Sequence, residues 1–145
     1  MSEGLISKDD EELFSLLPQI IYQINMDHNI VFLNKKGMDI SGYTPADIEK
    51  GLSCLQLFAP EDREKVKINT ERLLRGEDIQ GTEYTGQKKD GETIPISLYS
   101  IPIIHEGIPV GVRGIAIDIT SRKQLEDQLR RYSEELETIV DEKTS

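Results

Sequence analysis

Three long segments in the second half of the chain, separated by turn residues, have the character of β-strands. They span 80–88, 92–104 and 108–119, and they are separated by the short turn sequences Lys89-Asp90-Gly91 and His105-Glu106-Gly107. Turns this short join antiparallel neighbours, because parallel strands need a long crossover. The sequence therefore predicts a three-stranded antiparallel meander, which requires a sheet with a covered face.

Two further strand-like segments lie near the start of the chain. Residues 20–25 and 30–34 are rich in Ile, Val, Tyr and Phe, and the intervening Met26-Asp27-His28-Asn29 has turn character. These segments predict a β-hairpin. With the meander, the chain then contains five antiparallel strands, and the expected fold class is α+β.

The stretch between the two groups of strands predicts short helices. Asn34 is placed to cap a helix over 35–40, and Thr44 and Pro45 are placed as the cap and first residue of the next helix. A longer helix is expected over 60–75. Its expected buried residues are Val66, Ile68, Leu73 and Leu74.

Both ends of the chain predict helices that flank this core. We expect a capping helix within residues 1–19, a core over 20–119 and a C-terminal helix or linker over 120–145. The capping helix, or a partner subunit, is expected to cover the apolar outer face of the sheet. The apolar residues of the capping helix are Leu13, Phe14, Leu16 and Leu17.

Apolar residues of the C-terminal helix repeat at intervals of 4, 3, 4 and 3 residues, the seam of a coiled coil. The stripe is narrow and its flanks are polar, so we expect a second helix to pack on it. The alternative is an amphipathic helix that folds back on its own sheet. Either Thr120 or Ser121 is expected to cap the helix. The seam consists of Leu125, Leu129, Tyr132, Leu136 and Ile139.

Charge and cysteine content exclude several classes of protein. With a net charge of −10 and scattered Lys and Arg, the chain lacks the basic surface that nucleic acids require. The single cysteine, Cys54, has no internal disulfide partner, which fits a reducing, cytoplasmic compartment. No segment has the character of a signal peptide or a membrane span, so we expect no membrane contact from this chain.

The order of these elements and six short motifs resemble the PAS domain family. The resemblance covers 13–122 and implies a five-stranded antiparallel sheet with short helices over one face. It also implies that any ligand lies between the helices and the sheet. The motifs are Ile20-Ile21-Tyr22-Gln23-Ile24-Asn25, Ile30-Val31-Phe32-Leu33-Asn34, Ser41-Gly42-Tyr43, Ala59-Pro60-Glu61-Asp62-Arg63, Lys88-Lys89-Asp90-Gly91 and Asp118-Ile119-Thr120.

The ligand site that the resemblance implies has several candidate lining residues, each of which is also an ordinary core residue in the alternative interpretation. Val112, Gly114 and Ala116 share one face of the last strand, where small side chains leave room beneath the helices. Arg113, Ile115, Ile117 and Ile119 share the other face. The predicted lining residues are Tyr22, Phe32, Met38, Cys54, Phe58, Gly114 and Ala116.

The cofactor sites of related families fit this sequence poorly. Cys54 stands near the reactive cysteine of flavin-binding, light-sensing members of the PAS family. However, its neighbours Ser53 and Leu55 and the later positions Ile96 and Ala116 replace the polar residues that flavin needs. The long helix contains no histidine for haem. We predict no cofactor and no metal, and we leave a small organic ligand open.

The resemblance implies that output passes through Asp118, Thr120 and Arg122, where the last strand meets the C-terminal helix. Asp118 lies just before the start of the helix, where the positive end of the helix dipole is expected to stabilise its carboxylate. The same carboxylate is expected to pair with Arg122 or Lys123. No arrangement of nucleophile and base is recognisable, so we expect a regulatory domain with no catalytic residues.

These observations predict a sensory or signal-relay domain of a multidomain signal-transduction protein, with a histidine kinase of a two-component system as the expected parent. We expect a homodimer, formed through the C-terminal helix, the capping helix or both, that acts on a downstream effector domain. The first alternative is a dimerisation or docking module without a ligand. The second is a flavin photoreceptor.

Overall fold

The computed structural model describes residues 19–144, and within them the chain forms one antiparallel sheet with helices packed on it. The strand order is β2-β1-β5-β4-β3, so the last strand lies at the centre, between the first and the fourth. This confirms the predicted five-stranded antiparallel fold; the predicted capping helix lies outside the described residues. The strands are β1 (Ile20–Asn25), β2 (Ile30–Leu33), β3 (Thr82–Gln87), β4 (Thr93–His105) and β5 (Ile108–Asp118).

Four α-helices accompany the sheet within the described residues. Two 3-10 turns, Cys54–Leu57 and Pro60–Asp62, lie between the second and third helices. The first three helices cover one face of the sheet, and the fourth continues from β5. The helices are α1 (Lys35–Ser41), α2 (Pro45–Glu49), α3 (Arg63–Leu74) and α4 (Thr120–Thr144).

The predicted caps of the two short helices are present. The side chain of Asn34 accepts a hydrogen bond from the Gly37 amide at 3.0 Å, and the same oxygen accepts one from the Ile21 amide of β1 at 3.0 Å. Asn34 is buried, so it fixes α1 against the sheet. Thr44 and Asp47 form a capping box at the start of α2.

Helix α3 faces the sheet differently from the prediction. Val66 and Leu73 are buried as expected, but Ile68 is 48% exposed and Asn69 points inward in its place. Residues three and four positions apart share a helix face, and Ile68 falls outside the face that Val66 and Leu73 define. Asn69 donates a hydrogen bond to the hydroxyl of Tyr84 at 2.9 Å, which satisfies this buried amide.

The β4–β5 hairpin is tighter than the sequence indicated. His105 pairs with Ile108, which leaves Glu106 and Gly107 as a two-residue turn. Both have positive φ, at 50° and 77°, as a turn of type I′ requires. The backbone twist of this turn therefore matches the right-handed twist of β4 and β5.

Close packing between β1 and β5 depends on Gly111. A Cβ atom at this position would lie 2.3 Å from the carbonyl oxygen of Ile24, well inside contact distance. The oxygen belongs to the backbone of a central strand and cannot move without breaking the ladder. Gly111 therefore permits the pairing that places β5 in the middle of the sheet.

We expect Gly111→Ala to lower the free energy of unfolding by about 1–3 kcal/mol, the usual cost of forcing extra atoms into a packed site. Urea denaturation of both proteins measures this loss. Gly86→Ala is the matched control, since its Cβ would lie 3.3 Å from Cδ1 of Ile96 and 3.4 Å from the carbonyl oxygen of Ile94, both far longer than the 2.3 Å at Gly111. Equal losses in the two variants would contradict the role assigned to Gly111.

Candidate functional site

A cavity of about 100 Å³ lies between the sheet and the helices α1 and α3. Its wall is mostly aliphatic, with residues from all five strands and from α1, α3 and the 3-10 turn at Cys54–Leu57. The sheet side is formed mainly by Ile20, Tyr22, Ile24, Ile96, Leu98 and Ala116.

The structure brings four of the predicted lining residues to this cavity, namely Tyr22, Cys54, Phe58 and Ala116. Two others, Phe32 and Met38, lie along a separate groove on the outside, between β2 and α2. Sequence period alone does not distinguish these two surfaces, because both sides of β2 carry apolar residues.

Gly114 has a different role from the space-making one that the sequence suggested. It pairs with Tyr22 of β1 on one side and with Ser100 of β4 on the other. The Tyr22 hydroxyl and Ser100 Oγ meet above it in a short hydrogen bond, and a Cβ on Gly114 would lie 2.5 Å from that hydroxyl. The room that Gly114 provides is therefore filled by the Tyr22–Ser100 pair.

Gln80 supports this polar part of the wall from behind Ser100, and the sequence offered no signal for it. Its side chain accepts a hydrogen bond from the Ser100 amide at 2.8 Å and donates one to the Ser100 carbonyl. The Gln80 side chain thus makes with Ser100 the two hydrogen bonds that the backbone of a neighbouring strand would otherwise make. Ser100, Tyr22 and Gln80 form one connected network at the edge of an apolar cavity.

Burial changes the protonation of two groups on the cavity wall. Desolvation raises the pKa of the Cys54 thiol to about 12. Desolvation likewise raises the pKa of Tyr22 well above its usual value, against the smaller opposing effect of the Ser100 hydrogen bond. Both groups are neutral at physiological pH. The cavity therefore presents hydroxyl groups and apolar surface, with Gln87 and Lys88 at one end and no thiolate or phenolate.

The size of the cavity limits what it can hold. Pockets for drug-sized ligands are about 300–1,000 Å³, and an apolar cavity of about 150 Å³ accepts benzene. The cavity of about 100 Å³ is too small for the ring system of a flavin or a haem, and Ile96 and Ala116 offer no hydrogen-bond partner for a flavin edge. A small, neutral and largely apolar molecule fits both its volume and its lining.

The second region of interest is the junction between β5 and α4. Asp118 Oδ1 accepts hydrogen bonds from the amide of Thr120 at 2.9 Å and from its hydroxyl. The first helical bond, from the Lys123 amide, reaches the carbonyl of Ile119 at 2.9 Å. Helix α4 therefore begins at Thr120 with Ile119 in the cap position, which corrects the expected cap at Thr120 or Ser121, and the Asp118 side chain accepts from the first helical residue.

Arg122 and Lys123 of α4 do not pair with Asp118 as expected, but with Glu83 of β3. Arg122 lies 2.6 Å from one carboxylate oxygen of Glu83, and Lys123 lies 2.7 Å from the other. Lys123 and then Arg122 hold the pKa of Glu83 below its usual value. The Asp118 carboxylate bonds to Thr120 instead. Glu83 therefore joins the first turn of α4 to β3, which lies two places from β5 in the sheet.

The comparison with protein-family sequence models matches residues 18–121 to the PAS domain. The chain belongs to the PAS domain family. This match covers all five strands and the Asp118–Thr120 junction. Among curated relatives, sporulation kinase A of Bacillus subtilis (strain 168) is 24% identical over 139 residues. Those residues are 96% of this chain but 23% of the kinase, so the PAS chain spans less than a quarter of its relative's length.

Solved structures agree with the PAS fold. The PAS domain of a protein from Colwellia psychrerythraea is 26% identical, with a TM-score of 0.64, and the alignment covers 79% of this chain and 97% of that one. A sensory box histidine kinase/response regulator from Burkholderia thailandensis E264 is 24% identical, also with a TM-score of 0.64. That alignment covers 83% of this chain and 92% of the other.

Beyond its first turn, α4 extends away from the PAS sheet. Every residue from 121 to 139 is exposed, including the five seam residues, of which Leu129 and Tyr132 are 61% and 62% exposed. The seam therefore does not fold back on the described part of the sheet, which was the alternative arrangement. An apolar stripe of this length in water is unfavourable unless another surface covers it.

Two further findings concern the described residues only. No helix among them is long and apolar enough to cross a membrane. In the same range, no three side chains of His, Cys, Asp or Glu come together as a group that could hold a metal ion.

The raised pKa of Tyr22 predicts a loss of stability at alkaline pH. Above pH 10 the phenol ionises in the unfolded chain but not in the folded one, so the free energy of unfolding falls as pH rises. Tyr22→Phe should lessen this decline by up to about 1.4 kcal/mol per pH unit. Urea denaturation at pH 9 and pH 11 measures it.

The control for this pH dependence is Tyr132→Phe, since Tyr132 is largely exposed in α4. This variant should show the same decline as the parent protein. If Tyr22→Phe and the parent protein also lost stability in parallel, Tyr22 would not be held neutral by burial.

Proposed function

We propose that this PAS domain is a sensory or signal-relay module, which passes the occupancy of its cavity, or the binding of a partner, to an effector through α4. The single observation that carries the proposal is the continuity of the central strand β5 with a helix whose apolar seam is uncovered. A domain with no output would have no need of such a helix.

The relay begins at the cavity wall. Val112, Gly114 and Ala116 of β5 lie on the cavity side, where Val112 and Ala116 line the cavity and Gly114 carries the Tyr22–Ser100 hydrogen bond. A ligand that contacts this hydrogen bond acts on β1, β4 and β5 together. Such a ligand shifts the domain only if it binds one arrangement of the strands more tightly than the other.

The relay continues through the junction, where two sets of contacts set the direction of α4. Asp118 fixes the first turn from the β5 side, and Glu83 fixes it from β3 through Arg122 and Lys123. These two attachments lie on strands separated by β4. A change in the twist between β3 and β5 therefore becomes a change in the angle of the helix.

In this proposal the output is carried by a parallel homodimer whose helices meet along Leu125, Leu129, Tyr132, Leu136 and Ile139. Covering these side chains removes a large apolar area from water, which supplies the free energy of association. About three heptads are marginal for a coiled coil alone, so continuation of the helix towards an effector would strengthen it. The N-terminal residues 1–18 are a second candidate contact between the two copies.

We propose a histidine kinase of a two-component system as the parent protein and the cytoplasm as its location. The similarity to sporulation kinase A and to the Burkholderia histidine kinase/response regulator supports this effector. In such a protein the PAS domain regulates and performs no catalysis, and its direct partners are a second copy and the domain that follows.

The second candidate function is a dimerisation or docking module without a ligand, and the small volume of the cavity favours it. The two functions differ in whether the purified domain releases a small molecule on denaturation. Mass spectrometry of the released fraction distinguishes them. The flavin photoreceptor is disfavoured by the size and aliphatic lining of the cavity.

Asp118→Ala in the full-length parent tests the relay. The variant loses the carboxylate that accepts hydrogen bonds from the amide and hydroxyl of Thr120, a change worth about 0.5–1.5 kcal/mol, so the ratio of active to inactive protein should change at least about twofold. For a histidine kinase, autophosphorylation with and without stimulus measures this change.

Two control variants distinguish the loss of the hydrogen-bond acceptor at position 118 from the loss of a negative charge. Asp118→Asn keeps an acceptor oxygen for Thr120 and should retain most of the output, and Asp27→Ala removes an acid from the exposed β1–β2 turn and should change nothing. Unchanged basal and stimulated output in Asp118→Ala would contradict the proposal.

A further inference from the structure

One end of the cavity is closed by a contact between the β3–β4 hairpin and the corner where α1 meets α2. Ser41, the last residue of α1, and Gln87 and Lys88 at the end of β3 line the cavity there, and all three are half-buried. A path between solvent and the cavity at this end would run between the hairpin and the helices. The contacts that join the hairpin to the helices would then control access by this path.

Lys89 joins the β3–β4 hairpin to the α1–α2 corner through three contacts. Its amide donates a hydrogen bond to the carbonyl of Ser41 at 2.8 Å. Its ammonium group lies 3.0 Å and 3.2 Å from the two carboxylate oxygens of Asp47 in α2. The same ammonium lies 5.9 Å from the centre of the Tyr43 ring, within the range of a cation–π contact.

Asp47 is itself held in place on the helix side. Its carboxylate accepts hydrogen bonds from the amide and the hydroxyl of Thr44, at 2.9 Å and 3.0 Å, as part of the α2 capping box. Its side chain is 20% exposed, whereas that of Lys89 is 52% exposed. The acceptor is therefore preorganised by Thr44, whereas the Lys89 side chain is the more exposed partner, and an exposed ion pair of this kind is weak enough to break readily.

We propose that the contact of Lys89 with Asp47, Ser41 and Tyr43, here called the Lys89 latch, controls the passage of small molecules into the cavity. This inference rests on the proposed function of the cavity as a ligand site. When the latch releases, the hairpin moves away from α1 and α2, and a neutral molecule reaches the interior without passing through the sheet. When it closes, a bound ligand is retained.

The chain contains its own reporter for this passage. Cys54 is its only cysteine, it is 5% exposed, and it lines the cavity. Because burial holds the thiol protonated, modification by a small neutral reagent requires an opening that admits reagent and water. The rate of iodoacetamide modification at fixed pH therefore measures how often the cavity opens.

The decisive comparison is Lys89→Met, which keeps the apolar stem of the side chain but removes the charge. Loss of an exposed ion pair should raise the rate of Cys54 modification about two- to fivefold. Asp47→Asn should raise it similarly, and the double variant should be no faster than the faster single variant, since both remove the same contact. Added salt should accelerate the parent protein but not Lys89→Met.

Lys36→Met is the matched control, because Lys36 is exposed on α1 and its loss changes the net charge equally. Its modification rate should equal that of the parent protein. Equal rates in Lys89→Met and the parent protein would overturn the proposal, and access would then lie elsewhere. A modification rate that follows global unfolding in urea, in both proteins, would overturn it too.

This experiment fails or succeeds independently of the relay. Modification of Cys54 depends on access to the cavity and needs no effector. An Asp118→Ala variant with unchanged output would remove the proposed relay but leave the result on the Lys89 latch standing, and the reverse also holds.

Discussion

The position of β5 constrains the rest of the molecule. It pairs with β1 on one side and β4 on the other, and its chain continues into α4 after a single intervening residue, Ile119. The Ile119 amide still bonds to the carbonyl of Pro95, so the chain remains attached to the sheet until the helix begins. In the proposed relay, a rearrangement of the central sheet therefore reaches the first turn of α4.

The cavity and the junction are connected through this strand. Gly114 lies beneath the Tyr22–Ser100 hydrogen bond, and Asp118 lies four residues further along the same strand. The absence of a side chain at Gly114 lets Tyr22 and Ser100 meet directly above the backbone of β5. Contacts in the cavity thus act on the strand itself and not through a chain of flexible side chains.

Local signals explain how much of this fold was predictable from the sequence. The strands and the caps at Asn34 and Thr44 depend on residues close together in the chain and were predicted to within about two residues, whereas the β4–β5 turn was predicted one residue too long. The error at Ile68 and Asn69 arose because apolarity was taken as the guide to burial. An amide can take an inward position when a partner such as the Tyr84 hydroxyl is available.

The residues that were missed depend on contacts across the sheet. Glu83 meets Arg122 and Lys123 because β3 and β5 both flank β4, and a single sequence does not fix that register. Gln80 binds the backbone of Ser100 from outside any regular strand. The predicted site residues near the chain junction, Asp118 and Thr120, lie together because they are neighbours in sequence.

The proposed relay depends most on a parallel pairing of α4 between two copies, through which a shift of β5 would reach the effector. Spin labels at Ser121 and at Gln128, one heptad apart on the exposed helix and both on the N-terminal side of the seam's centre at Tyr132, test this in a Cys54→Ala background by pulsed dipolar spectroscopy. A parallel seam predicts the same short distance between the two copies at both positions. Unequal distances at the two positions, or no dipolar coupling at concentrations where the protein is fully assembled, would contradict it.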